Sequence, residues 1–422
     1  MVKPYSVLMG KAVRYIARLR GGGSALPGLF VEKIDKNFVK DTLAQLPQGV
    51  VLVSGTNGKT TTTKMVVELL ESQGLKVFTN RTGSNFVRGV AAALLGEVST
   101  TGRLNADIAV LELDEAHAVH FVNQIPPRYS LLLNVMRDQL DRFGEIDTTA
   151  GMLEHIAVKT TDTVIVNRED PRLLKIASQL KNNVRYFGLD DTLLATFPSD
   201  DDMHAKSLLK SKRPGADVVL QSMVDNQATF VIDGRIVKTP LRLKGIYNVY
   251  NAAAALALTR SIVGQQLDQQ KLIAALATVM PAFGRGETVI VNGQPCELVL
   301  VKNPSGFRLS LSSFDPTGVA TMIVINDNYA DGRDMSWLWD VDFVNLKNNG
   351  VSTVSGVRAY DMALRLSYDQ IVVSHVDTDL RKALTKFIAE HHDEPKRIYC
   401  TYTAMLGLRR ELAKIAHVQE VS

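Results

Sequence analysis

Cysteine is almost missing. Cys296 and Cys400 are the two in 422 residues, which excludes a disulfide framework and a four-cysteine zinc site within the chain and suits a reducing cytoplasm. No apolar run approaches the ~20 residues that span a bilayer. An excess of one charge is lacking too. The 48 Lys and Arg against 44 Asp and Glu leave +4 and no concentrated basic stripe, so a dedicated nucleic-acid binder is not expected. There is no internal repeat and no long disordered tract. What remains, 45% hydrophobic and 22% charged, is ordinary globular composition, in a chain long enough for two or three domains. The start, MVKPYSVLMGKAVRYIARLRGGG, is basic and amphipathic without a signal-peptide core. Residues 1–45 read as a helical segment packed on the first domain, with at most peripheral contact to an anionic membrane surface, at the inner face.

The most informative stretch is VLVSGTNGKTTTTKM, residues 51–65. An apolar strand, Val50 to Val53, runs into a glycine turn, and Lys59-Thr60 opens a helical pattern that stops at Gly74. Glycines let successive N–H groups converge into a nest for phosphate oxygens, and the helix N-terminus adds its positive dipole. Lys59 suits the β- and γ-phosphates of ATP, and the Thr60 hydroxyl suits Mg²⁺. The spacing is a shortened variant of the usual phosphate loop, with Gly55 three residues before Gly58. Gly55, Thr56, Asn57, Gly58, Lys59, Thr60 and Thr61 form the expected cradle.

Strand candidates at 50–53, 76–79, 107–113, 129–135, 162–167 and 184–188 alternate with helical stretches. Apolar strands separated by helices imply a doubly wound parallel sheet, here a P-loop ATPase domain over residues 46–290. Residues 191–242 are polar and read as a small insert with a hairpin turning at Asp233-Gly234. From 291 to 422 the alternation restarts as a smaller, Rossmann-like α/β domain. Strands are expected at 296–302, 319–326, 370–375 and 397–401, and helices near 306–314, 379–391 and 403–417.

Other residues follow strand ends, where α/β sheets bind ligands. Glu112 closes VLELDE and is placed to reach a Thr60-bound Mg²⁺, with Asp114 and Glu115 as rivals. Asp138, Asp141 and Arg142 follow the fourth strand. Asn248 and Asn251, at i and i+3 on a helix start, suit an adenine edge, or Asn248 caps the helix. Arg285, in AFGRGE, offers a cation for phosphate or ribose. The loop INDNYADGRDMSWLWDVDF, 325–343, gathers five Asp and both tryptophans of the chain, a composition typical of interface anchors.

Taken together, GTNGKTT, Glu112, N…DQLDR, NRED (167–170), GIYNVYNA and GRGE resemble the Mur ligase family in its order. Its members use ATP to convert a carboxylate to an acyl phosphate that an amine displaces. The resemblance is close over roughly 46–300. About 50 residues precede the loop, too few for the UDP-sugar domain of most members, so a UDP-linked substrate is not expected. NDNYADGRDMSWLWD, with KNPSGF (302–307) and YTAML (402–406), looks like the MurT-type branch, synthetase subunits of lipid II isoglutaminyl synthase. That resemblance implies amidation of the D-glutamate α-carboxylate in a lipid II-type peptidoglycan precursor, with ammonia from a separate GatD-type glutaminase. It also implies that a loop aspartate, Asp334 or its rival Asp340, completes the partner's Cys-His pair. Gln139 and Tyr247 stand where the family often has histidine. No cysteine falls near 191–240, where many MurT-type chains carry a zinc ribbon, so no structural zinc is expected. Neither cysteine sits on a nucleophile elbow, which leaves the ammonia to an outside source. Two alternatives are a folylpolyglutamate synthase-like ligase and a nucleotide-sensing regulator.

Overall fold

The computed structural model describes residues 2–19, 26–80, 87–137, 146–197, 213–224, 226–243, 246–280 and 285–418. Helices α1 (Pro4–Leu19), α2 (Leu26–Ile34) and α3 (Phe38–Leu43) lead into a nine-stranded sheet. Its strands are β1 (Val50–Ser54), β2 (Val77–Thr79), β3 (Ile108–Glu112), β4 (Tyr129–Leu132), β5 (Thr163–Asn167), β6 (Asn183–Leu189), β7 (Val218–Val224), β8 (Gln227–Ile232) and β9 (Arg235–Pro240). Between and after them lie α4 (Lys59–Ser72), α5 (Val87–Glu97), α6 (Glu115–Gln124), α7 (Ile146–Lys159), α8 (Pro171–Gln179), α9 (Ile246–Val263) and α10 (Gln269–Thr278).

The spatial order is β2-β3-β1-β4-β5-β6-β7-β8-β9, parallel through β7 and antiparallel beyond it. The strands read as unbroken apolar runs because both faces are covered. Val51 and Val53 of β1 enter one core with Leu69 and Leu256, while Val50 and Leu52 enter the other with Leu94 and Phe121. In the segment read from the sequence as a small insert, strands β7, β8 and β9 continue this sheet. Its hairpin turns at Asp233 and Gly234, φ 47° and 77°, both left-handed as a tight two-residue turn requires.

The second sheet has six strands, β10 (Arg285–Val291), β11 (Gln294–Leu300), β12 (Ala320–Val324), β13 (Val351–Ser355), β14 (Val373–Asp377) and β15 (Lys396–Cys400). Helices α11 (Pro304–Ser313), α12 (Ala359–Tyr368), α13 (Leu380–Glu390) and α14 (Tyr402–Leu412) flank it. The order is β10-β11-β15-β12-β13-β14, with only β10–β11 antiparallel. It too has a core on each face. The whole is the doubly wound α/β architecture expected, with a smaller Rossmann-like sheet behind it. Among the described residues no helix is long and apolar enough to cross a membrane.

Candidate active site

In the large sheet the chain steps from β1 out to β2 and back to β3, then crosses to β4 on the other side of β1. That reversal opens a crevice at the carboxyl ends of β1 and β4, where α/β sheets bind ligands. The loop 55–58 leaves β1 at this point and residues 134–136 leave β4. The two segments are stitched together. Thr56 Oγ1 donates to the Met136 carbonyl at 3.2 Å and accepts from the Met136 N–H at 3.0 Å. The Asn57 N–H donates to Asn134 Oδ1 at 2.9 Å, and the Asn134 amide donates back to the Asn57 carbonyl at 3.0 Å.

Gly58 has φ +89°, and a Cβ there would lie 2.8 Å from the Asn251 carboxamide, so only glycine fits. Asn251 therefore sits beneath the loop. Asn248, on the same helix start, lines a cavity with Tyr247, Met136, Lys302 and Ser310. This cavity lies between the two sheets, reaches about 150 Å³, and borders Asn57 and Gly58.

The acids at the end of β3 and just after it fall into two sets of contacts. Thr60 Oγ1 donates to Glu112 Oε1 at 2.8 Å, and Asn80 holds the Glu112 backbone through both its N–H and its carbonyl. Lys59, 4% exposed, instead donates to Glu115 Oε1 at 2.9 Å and to the Gly55 carbonyl at 2.7 Å. Asp114 lies 3.8 Å from its Nζ. A hydroxyl and one carboxylate, with phosphate and water completing the shell, suit Mg²⁺, a hard cation that keeps several waters. The Thr61 hydroxyl is buried with no hydrogen-bond partner among the described residues. With the glycine cradle, this leaves donors in the loop that a polyphosphate would satisfy.

Asp170 was visible only through NRED. It caps α8 by accepting from the N–H groups of Arg172 at 3.0 Å and Leu173 at 3.1 Å, and it takes the Val135 N–H at 2.6 Å. One buried carboxylate thus fixes the segment that braces the loop. Burial raises its pKa to about 6. Neighbouring Asn167 accepts from the Tyr250 hydroxyl and donates to the Leu133 carbonyl at 2.9 Å.

The C-terminal domain reaches the same place. Asn303, of the KNPSGF motif, donates to Asn57 Oδ1 at 3.2 Å. Ser305 Oγ donates to the Arg137 carbonyl at 3.4 Å, Arg137 pairs with Asp340 at 3.4 Å, and Arg308 donates to the Asp340 carbonyl. In the acidic loop the two tryptophans part company. Trp337 is buried at 3% exposure with its ring 6.4 Å from that of Phe307, a core residue rather than the exposed anchor expected. Trp339 is 48% exposed and stands edge-on to Tyr368 at 5.1 Å. Asp334 accepts from the Ser336 N–H at 2.9 Å and forms no ion pair among the described residues. Asp138, Gln139, Asp141 and Arg142 lie outside the described residues, as does the side chain of Arg285, whose backbone opens β10.

Solved structures share this architecture. A pseudomurein peptide ligase type C from Methanothermus fervidus matches at TM-score 0.68 and 19% identity, over 90% of this chain and 81% of that one. MurF from Thermotoga maritima, in complex with ADP, matches at TM-score 0.68 and 19% identity, over 90% and 83%. These likenesses establish the fold. The family model for the Mur ligase middle domain matches residues 53–259, and that for the MurT ligase C-terminal region matches 300–405. The MurT subunit of lipid II isoglutaminyl synthase (glutamine-hydrolyzing) from Streptococcus pneumoniae is 33% identical, over 96% of both chains. Its counterpart from Staphylococcus aureus strain COL is 28% identical over 90% of this chain and 91% of its own. The chain belongs to the MurT family, a branch of the ATP-dependent Mur-type ligases.

Proposed function

We propose that the chain is the ATP-using subunit of a two-subunit amidotransferase. It converts the α-carboxylate of D-glutamate, in the stem peptide of a lipid II-type precursor, to D-isoglutamine. The full-length similarity to a MurT subunit, 33% over 96% of the chain, carries this reading. The folylpolyglutamate and sensor alternatives have no comparable support.

The loop 55–61 cradles the triphosphate. Lys59 exchanges Glu115 for phosphate oxygens, and Thr60 with Glu112 would hold Mg²⁺, which lowers the charge on the transferring phosphoryl. A substrate carboxylate oxygen attacks the γ-phosphorus and ADP leaves, giving an acyl phosphate. Ammonia then attacks the acyl carbon, phosphate departs, and the nitrogen loses a proton to give the amide. Water would destroy the intermediate, and the contact of Asn303 with the phosphate loop supports closure of the C-terminal domain over the site. Asn248, Asn251 and Arg285 are the candidates for holding the nucleoside end.

The ammonia comes from a GatD-like glutaminase. Both cysteines here are buried core residues, and burial pushes their thiols up, Cys296 to about 12, far from a working nucleophile. A surface for the partner is at hand. Tyr360, Leu364 and Tyr368 repeat every four residues along α12 at 52–70% exposure, beside Trp339. Of the two loop candidates, Asp334 is the one assigned to the partner's Cys-His pair: it forms no ion pair among the described residues, whereas Asp340 pairs with Arg137.

The test is amide formation by the purified chain with Mg-ATP and a lipid II-type acceptor. Ammonium is expected to suffice for the chain alone, and glutamine to work only when the glutaminase is added. No amide from ammonium in the presence of the glutaminase would overturn the reading.

A further inference from the structure

Asp334 lies three positions from each of two buried residues, Asp331 and Trp337. The stretch that carries it, residues 325–335, belongs to no helix or strand. Side-chain contacts therefore have to hold it in place. Trp337 seats the far end in the core. Asp331 secures the near end, and does so on another element.

That element is α14. The first N–H groups of a helix have no partner within it. Thr401, at the cap position, makes no side-chain cap bond; its hydroxyl accepts from the Asn326 N–H at 2.9 Å instead. Asp331 caps the helix from outside. Its carboxylate accepts from the Thr403 N–H at 2.7 Å and from the Thr403 hydroxyl at 2.5 Å. It also takes the Asn328 N–H at 3.1 Å, which closes its own loop. The amides of Asn326 and Asn328 donate to the same Thr403 hydroxyl, at 3.1 and 2.8 Å. Gly332 follows with φ +90°, a left-handed turn that favours glycine. Three residues span about 10 Å at most, so a displacement of Asp331 is passed on to Asp334.

We propose that Asp331 is a positioning residue for glutamine hydrolysis: its clamp on the first turn of α14 sets where Asp334 meets the partner's Cys-His pair. This rests on the reading of Asp334 given above and deepens it. A misplacement of about 1 Å in a reacting group costs on the order of a hundredfold.

The experiment measures amidation by the complex with glutaminase, from glutamine and from ammonium, together with the affinity for the glutaminase. The variants are Asp331→Asn, Thr403→Val, Thr403→Ser and Asp334→Asn. In Asp331→Asn the amide NH₂ faces a donor whichever way it turns. Its kcat with glutamine is expected to fall roughly 10- to 100-fold, with KM for glutamine, glutaminase affinity and the ammonium reaction unchanged. Thr403→Val should fall in the same way by a smaller factor, and Thr403→Ser, which keeps the hydroxyl, should stay near wild type. The Thr403 pair decides the matter if Asp331→Asn does not fold. Full glutamine-dependent turnover in Asp331→Asn, with that of Asp334→Asn lost, overturns the positioning role and leaves the reading of Asp334 standing. Full turnover in Asp334→Asn overturns both. An equal fall in the ammonium reaction, or a loss made good by excess glutaminase, also overturns the positioning role, because it makes Asp331 a residue of the fold or of docking.

Discussion

The carboxamide of Asn303 donates to Asn57 Oδ1 at 3.2 Å while its own oxygen accepts from the Gly306 N–H at 2.7 Å. One side chain thus caps α11 and ties the C-terminal domain to the phosphate loop. Asn303→Ala removes a cap and an interdomain bond, each about 1 kcal/mol. The melting temperature should fall modestly. The larger expected effect is leakage, with more ADP released per amide formed because water reaches the intermediate. An unchanged ratio of ADP to amide would show that the contact does not seal the site.

Glu112→Gln keeps the shape and the hydrogen bond from Thr60 but removes the charge. The Mg²⁺ concentration for half-maximal rate should rise on the order of 10–100-fold. Glu115→Gln, which touches Lys59 instead, should leave that requirement nearly unchanged. A metal titration of the two variants separates the roles, and equal shifts would contradict the division.

Asp334 and Asp340 lie six positions apart with different partners. With the glutaminase present, Asp334→Asn should abolish glutamine-dependent amidation and spare the ammonium-dependent reaction. Asp340→Asn breaks the pair with Arg137, a half-exposed contact worth at most about 1 kcal/mol. It should slow both reactions by a few-fold. Loss of the ammonium reaction in Asp334→Asn would place that residue in the synthetase site.

Asp170 supplies the pH dependence. Its folded pKa lies near 6, above the ordinary 3.8, because burial disfavours the charge. A carboxyl raised in the folded state stabilises the fold fully below the unfolded value. That contribution is lost as pH rises through the folded one. Denaturant unfolding should therefore show the stability of wild type relative to Asp170→Asn declining between about pH 4 and pH 6.5, then levelling. A difference that grows over this window would reverse the sign.

The parallel sheet and the phosphate loop were legible because buried strands are apolar runs and because Gly58-Lys59-Thr60 follows one of them. What escaped had physical reasons. In β13 the buried positions include Thr353 and Ser355, so hydroxyls interrupt the apolar run. In α12, Met362 and Leu366 face the core while Tyr360, Leu364 and Tyr368 face out, and apolar residues on both sides erase the period. Asn134 and Asn80 act through partners distant in sequence, Asn57 and Glu112. The position of Asn134 just past an apolar strand was the available signal. The tryptophans were read as a pair, but the short 3₁₀ turn Ser336–Asp340 sends Trp337 inward and leaves Trp339 half exposed.

The central claim is that the cradle around Lys59 transfers phosphate to a carboxylate before nitrogen arrives. Its most direct test uses an acceptor whose D-glutamate α-carboxylate is labelled with ¹⁸O, with Mg-ATP and ammonium. The account expects one ¹⁸O in each phosphate released and one in the amide, with turnover reduced at least about a hundredfold in Lys59→Ala. Unlabelled phosphate alongside normal amide yield, or undiminished turnover in that variant, would contradict it.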